Sequence, residues 1–337
     1  MISFKNDYSE IAHPSILTLM QKHSQTQFNG YGLDALSISV KQTIQSMLQA
    51  NVDIHFLVGG TITNKVLISH ALRPYEAVIS ADTGHIFVHE TGAIESTGHQ
   101  ILLIPNANGK LTVPLIEETL KGFSDEHRVL PKLVYISNAT ETGTFYTKAE
   151  LQALYRFCQS RDLYLFIDGA RLGVALAASG LTLNDLCENS DAFYIGGTKN
   201  GAMLGEALVI KSESLKPFFR HAIKQSGGLL AKGFVAAIQF EGLFQNNLFF
   251  DLGTHANAMA AQITSGLIHL GIIPIYPVST NQIFITLKKT QVDILSKNYA
   301  FEIWTDHGFE QTIRLVTSWF TTETMVQTLL KDIESIL

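Results

Sequence analysis

Seven short runs of β-branched and aromatic residues punctuate the first two-thirds of the chain: DIHFLV (53–58), AVISA (77–81), ILLI (101–104), LVYIS (133–137), LYLFID (163–168), DAFYI (191–195) and EALVI (206–210). Between them lie amphipathic stretches such as VPLIEETLKGF (113–123) and KAELQALYRFCQSRD (148–162), whose apolar residues recur three and four apart. This alternation predicts an α/β fold, because a strand followed by a helix re-enters its sheet in parallel with both faces covered. After about residue 245 the spacing tightens. A helix through HANAMAAQITSGLIHLG is followed by IIPIYP, NQIFITL, YAFEIW and TIRLVTSWF, an expected antiparallel layer, and by a last helix from Glu323 to Leu337. The expected division is a large domain over 1–245, with an N-terminal arm over 1–30, and a smaller α+β domain over 246–337.

Composition narrows the function. At 337 residues and 46% apolar the chain can bury a sizeable core. Its 24 basic and 30 acidic residues leave a net charge of −6 with no Lys/Arg run, a poor match to nucleic acid or an anionic membrane. A small molecule is the expected partner. No secretory leader is read in MISFKNDYSEIAHPS and no uninterrupted run of roughly 18 apolar residues occurs. The two cysteines, Cys158 and Cys187, sit among apolar neighbours and read as buried free thiols, consistent with a reducing cytoplasm.

Asp168 closes an apolar strand just before the turn Gly169-Ala170-Arg171, the strand end at which open α/β sheets place ligand contacts. Taken alone, it reads equally well as the cap of a following helix. Lys199 follows in DAFYIGGTKNGAM, after another strand, where Gly196, Gly197 and Gly201 let the backbone approach a bulky ligand. A lysine in a desolvated pocket and a strand-end carboxylate are what pyridoxal 5′-phosphate needs, one for its Schiff base and one to keep its pyridine nitrogen protonated. FLVGGTITNKVLI supplies a strand, then Gly59, Gly60 and Thr61, then a helix start whose amides can take the phosphate.

The ordered segments ND, YG, GGT, DTGHIFVHETGA, FIDGAR, GGTKNGA and IRLVTSW resemble, over essentially the whole length, the threonine aldolase and β-eliminating lyase family of fold-type I pyridoxal-phosphate enzymes, in the branch with TKNG at the lysine. The resemblance implies a large domain with a mixed seven-stranded sheet, a small C-terminal domain, and homodimers or homotetramers with shared active sites. It implies Lys199 as the Schiff-base lysine, with Asp168 on the pyridine nitrogen. Gly60 and Thr61 would lie on the phosphate with Gly59 and Thr198 beside them, and His85 over the ring. Arg171 and Arg314 would clamp the substrate carboxylate with help from Asn6, and Tyr31 would lie near a neighbouring subunit's site. No metal is expected, since the segment carrying His85 and His89 is β-branched and aromatic rather than clearly helical. The family's ENTH histidine has no clean counterpart in ISNATETGTFY, where Asn138 or Thr140 falls at that place, and GGGMRQAG is replaced by SGGLLAKGF with Lys232 displaced.

The expected activity is retro-aldol cleavage of β-hydroxy-α-amino acids of the L-threonine or L-allo-threonine type to glycine and an aldehyde, with His85 or a water it holds as base. β-Elimination or class V-type transamination on the same cofactor is the alternative, and a non-catalytic cofactor-bound protein is the alternative of another class.

Overall fold

The computed structural model describes residues 1–106 and 108–337. Its strands are β1 (Ile2–Ser3), β2 (Asp53–Leu57), β3 (Glu76–Ala81), β4 (Ile101–Ile104), β5 (Leu130–Ser137), β6 (Tyr164–Asp168), β7 (Ala192–Gly196), β8 (Glu206–Ile210), β9 (Gln282–Lys288), β10 (Tyr299–Ala300), β11 (Glu302–Asp306) and β12 (Glu310–Val316). All seven expected runs of the large domain are strands of one sheet, in the order β2-β8-β7-β6-β5-β3-β4. Neighbours are parallel except β8, which is antiparallel to both β7 and β2. Two reversals cancel, so β2 points the same way as β7, and the carboxyl ends of β2, β3, β5, β6 and β7 share one edge.

Helices on both faces explain why β3, β7 and β8 are buried at every position. One apolar cluster joins Ile54, Ile79, Val134 and Ile167 to the helices Ala35–Leu48 and Lys148–Ser160; a second joins Val78, Tyr135, Phe166 and Tyr194 to Gly60–Ala71. Helix Lys148–Ser160 starts where Thr147 and Glu150 form a reciprocal cap.

The C-terminal layer is the antiparallel sheet β11-β12-β9, packed on helices Leu248–His269 and Glu323–Glu334. Segment Ile272–Pro277, expected as a strand, is not one: Pro274 and Pro277 cannot donate to a ladder, and Ile275 makes a lone bond to Phe284. YAFEIW is divided between β10 and β11. Helix Leu248–His269 ties the layers together, burying Phe249 and Leu252 in the large core and Met259, Ile263 and Leu267 in the small one. The chain start crosses over as well. β1 pairs in parallel with β10, and Phe4 is fully buried in the small core. Among the described residues no helix is long and apolar enough to cross a membrane.

Candidate active site

The shared strand edge opens into a cavity of about 600 Å³ lined by residues that include Tyr8, His85, Glu141, Arg171, Lys199 and Arg314. Each arrives from a different element: His85 after β3, Glu141 after β5, Arg171 after β6, Lys199 after β7, Arg314 from β12 and Tyr8 from the chain start. Convergence of loops at one sheet edge is what makes such an edge a binding site.

Asp168 lies beneath this cavity and is 2% exposed. Its carboxylate accepts from the hydroxyls of Tyr135 and Tyr194, from Asn64 Nδ2 at 3.1 Å and from the amide of Ala170 at 2.9 Å. Burial pushes its pKa up, but the His85 charge and the two tyrosine hydroxyls outweigh this and hold it below the usual carboxylate value. It does not cap the next helix, which starts after Arg171 without a side-chain cap.

Lys199 is partly buried, and its Nζ has no hydrogen-bond or ion-pair partner among the described residues. Burial and the nearby Arg171 charge lower its pKa, against the pull of Asp7, Glu141 and Asp168. The turn holding it needs its glycines: a Cβ on Gly196 would lie 2.4 Å from the Ala170 carbonyl oxygen, and Gly201 has φ +92°. Just before it, the Thr198 hydroxyl donates to Glu206 at 2.8 Å and accepts from the Gly205 amide at 3.1 Å. Burial pushes Glu206 up to about 8.

His85 is not in a strand-like segment as expected. It opens a single helical turn, His85–Val88, with its ring 5.5 Å from that of His89. Its Nδ1 lies 2.7 Å from Oε1 of Glu90, a fully buried carboxylate that also accepts from Asn64 at 2.8 Å. Burial alone would lower the His85 pKa; Glu90, Glu141 and Asp168 reverse that and raise it.

The two arginines differ. Arg171 already spends Nε and Nη2 on the buried Asp7 carboxylate, at 2.8 and 3.2 Å, and its Nη1 stands 3.7 Å from Glu141. Two of its five N–H donors are therefore committed to Asp7, while Nη1 makes no hydrogen bond among the described residues and the residue lines the cavity. Arg314 touches Gln282 Oε1 weakly at 3.3 Å, and its Nε is buried with no partner. An orphaned buried guanidinium donor is costly, and an anionic ligand relieves it.

Other expected residues fall elsewhere. Asn6 is outside the cavity lining, its carbonyl oxygen accepting from the Tyr8 amide and the Ser9 hydroxyl. Tyr31 lies outside it too, at φ 62° and 41% exposed, with Lys224 over its ring. Gly59, Gly60 and Thr61 begin helix Gly60–Ala71, whose first turn has no side-chain cap. A Cβ on Gly60 would come 3.0 Å from the Tyr194 hydroxyl, so this turn presses on a hydrogen-bond partner of Asp168. Lys232 is exposed. Thr140 is spent on its own loop, bonding Thr142 and Thr144, while Asn138 accepts from the Tyr146 amide through Oδ1 and keeps a buried Nδ2 without a partner among the described residues. Glu141 is the residue of that segment that reaches the cavity.

Sequence reasoning missed Asp7, Asn64, Glu90, Tyr135, Glu141 and Tyr194. Asp7 and Glu90 lie inside segments singled out as motifs, ND and HETGA, so carboxylates there were visible without their partners.

A model of the β-eliminating lyase family matches residues 18–290 of the chain. The low specificity L-threonine aldolase of Pseudomonas sp. (strain NCIMB 10558) is 29% identical over 338 residues, covering 98% of this chain and 96% of that protein. A solved threonine aldolase of Leishmania major is 46% identical, with a TM-score of 0.97 and 99% of each chain covered. A Thermus thermophilus aspartate aminotransferase variant, 15% identical, shares the fold at a TM-score of 0.75 over 100% of this chain and 92% of that one.

Proposed function

Since the chain belongs to the β-eliminating lyase family, we propose that it is a fold-type I, pyridoxal-phosphate-dependent aldolase that cleaves β-hydroxy-α-amino acids of the L-threonine and L-allo-threonine type to glycine and an aldehyde. The observation that carries this reading is Lys199, an unpartnered amine of lowered pKa at the cavity edge, close enough to Asp168 to feel its charge.

The side chains fit the cofactor. Lys199 would carry it covalently, and the amides of Gly60 and Thr61, free of a side-chain cap, would hold the phosphate, with Gly59 and Thr198 alongside. Asp168, held ionised, would keep the ring nitrogen protonated. Its four hydrogen-bonding positions are all taken, so one tyrosine hydroxyl has to turn away to admit that donor. When bound, pyridoxal phosphate supplies a sink for the electron pair released at the substrate Cα.

The chain's own residues do the rest. Arg314 would take the substrate carboxylate through its unpartnered Nε and set which bond faces the ring. Arg171, fixed by Asp7 through Nε and Nη2, would help hold the substrate carboxylate through the unspent Nη1. His85 would lie on the cofactor ring with its Nδ1 held by Glu90. The buried thiols Cys158 and Cys187 support a reducing cytoplasm. The exposed Tyr31, Leu33 and Ile38 support assembly into dimers or tetramers.

The purified protein is expected to absorb in the visible, and borohydride is expected to fix the cofactor to Lys199. A label on another lysine refutes the site. A screen of L- and D-threonine, allo-threonine and phenylserine should release aldehyde and glycine. Pyruvate with ammonia would establish elimination, a keto acid transamination, and cofactor binding without product a non-catalytic protein.

A further inference from the structure

Cleavage of a β-hydroxy amino acid needs a group to accept the hydroxyl proton, and His85 already has its Nδ1 engaged by Glu90. Glu141 is 6% exposed and lines the cavity with Lys199, His85, Arg171 and Arg314. Its carboxylate has no hydrogen bond among the described residues, and its nearest cation, Arg171 Nη1, stands 3.7 Å away, beyond hydrogen-bond reach. Asp7 takes Nε and Nη2 of Arg171, and among the described residues Glu141 is left as a cavity-lining carboxylate with unspent lone pairs. The charge of Glu141 reaches His85, His89, Lys199 and Arg314, which marks it as central among the cavity's cationic and imidazole groups.

The loop is built to hold Glu141 still. Thr142 and Thr144 donate to the Asn108 carbonyl at 2.9 and 2.7 Å, and the Asn138 amide donates to the Asp168 carbonyl at 2.8 Å. From the small domain, Thr280 donates to the Gly143 carbonyl at 2.8 Å and Gln282 Nε2 to the Thr140 carbonyl at 3.1 Å. Gln282 Oε1 also accepts from Arg314, so one amide ties the proposed carboxylate clamp to the Glu141 loop. Groups fixed on each other in this way keep a reacting proton and its acceptor in register.

We propose that Glu141 is a catalytic residue that takes the substrate's β-hydroxyl proton, an assignment resting on the aldolase reading above. As the proton passes to the carboxylate, the O–H electron pair forms the carbonyl π bond of the aldehyde. The Cα–Cβ pair is left at Cα, where a proton from water yields glycine, and Glu141 returns its proton to water to close the balance. No outside reagent is needed.

Glycine has no β-hydroxyl, which allows a clean test on the holoenzyme. Glu141→Gln is expected to lower kcat for L-threonine by about 100-fold or more, with KM and glycine α-hydrogen exchange in D2O both within about threefold of wild type. The visible absorbance of bound cofactor and its response to added glycine should be unchanged. Equal loss of cleavage and exchange would make Glu141 structural and overturn the assignment, as would undiminished cleavage. If Gln lowers cofactor occupancy, Glu141→Asp serves the same comparison, with cleavage expected to fall further than exchange and an equal fall overturning the proposal. A wild-type protein that exchanges glycine but leaves every β-hydroxy amino acid intact refutes the aldolase reading itself.

Discussion

The Glu90 side chain has no solvent contact, yet it favours the charged form of a residue that does. Its carboxylate holds His85 Nδ1, and with Glu141 and Asp168 it raises the imidazole pKa above the usual 6.5, overcoming burial and the opposing Lys199 charge. A raised folded-state value means that this interaction contributes its full stability below about pH 6.5 and loses it as pH climbs through the folded value. In cofactor-free protein, the His85 ring proton followed by NMR should titrate above 6.5. Glu90→Gln should move that midpoint downward, because burial then acts with less opposition; an unmoved midpoint would show that Glu90 does not set the charge. At this scale the sequence was partly legible. Asp168 and Lys199 stood out because a strand end and a glycine-rich turn are local signals. The pairing of Arg171 with Asp7 was not, because the partners are 164 residues apart and nothing local links them.

Among elements, the crossing of helix Leu172–Ser179 with helix Leu248–His269 bears most directly on the site. A Cβ on Gly253 would lie 2.4 Å from the Gly173 backbone, and one on Gly173 would lie 2.8 Å from the Asn200 side chain. Asn200, adjacent to Lys199, donates to the Phe249 carbonyl at 2.7 Å, so the lysine turn is tied to this crossing. Backbone cannot yield as a flexible side chain does. Gly253→Ala is therefore expected to force the helices apart at a cost of about 1–3 kcal/mol, seen as a lower unfolding midpoint together with weaker cofactor retention. Normal stability would mean that the crossing is more pliant than its contacts indicate. Only the second of these helices carried a readable period beforehand, since Leu172–Ser179 is apolar all round, and their contact was not visible at all, because a glycine in a helical pattern looks like a mere weakness until its partner is known.

For the molecule as a whole, Tyr31 asks for a second copy. It is exposed, held at φ 62° and absent from its own cavity, and the Arg220 guanidinium donates to its carbonyl. If it serves a neighbour's site, mixing Lys199→Ala and Tyr31→Ala subunits should regenerate activity that neither variant has, with about a quarter of the sites of a randomly mixed dimer intact. Light scattering should show a dimer or tetramer. A monomer, or no complementation between two inactive variants, would confine Tyr31 to a local role.

The sequence by itself determined the α/β class and all seven strands of the large sheet, and it singled out Asp168 and Lys199, because hydrophobic period and turn glycines act over a few residues. Tertiary structure decided what each side chain has to spend. Arg171 and Arg314 look alike as letters, but one commits Nε and Nη2 to Asp7 and the other keeps a buried Nε without a partner among the described residues. His85 stands alone in the sequence until Glu90 is folded against its Nδ1, and Glu141, which no local signal marked, is picked out only when four elements bring cationic or imidazole groups around it. Charge state and hydrogen-bond vacancy belong to neighbourhoods, and in this chain those neighbourhoods are assembled from residues tens to hundreds of positions apart.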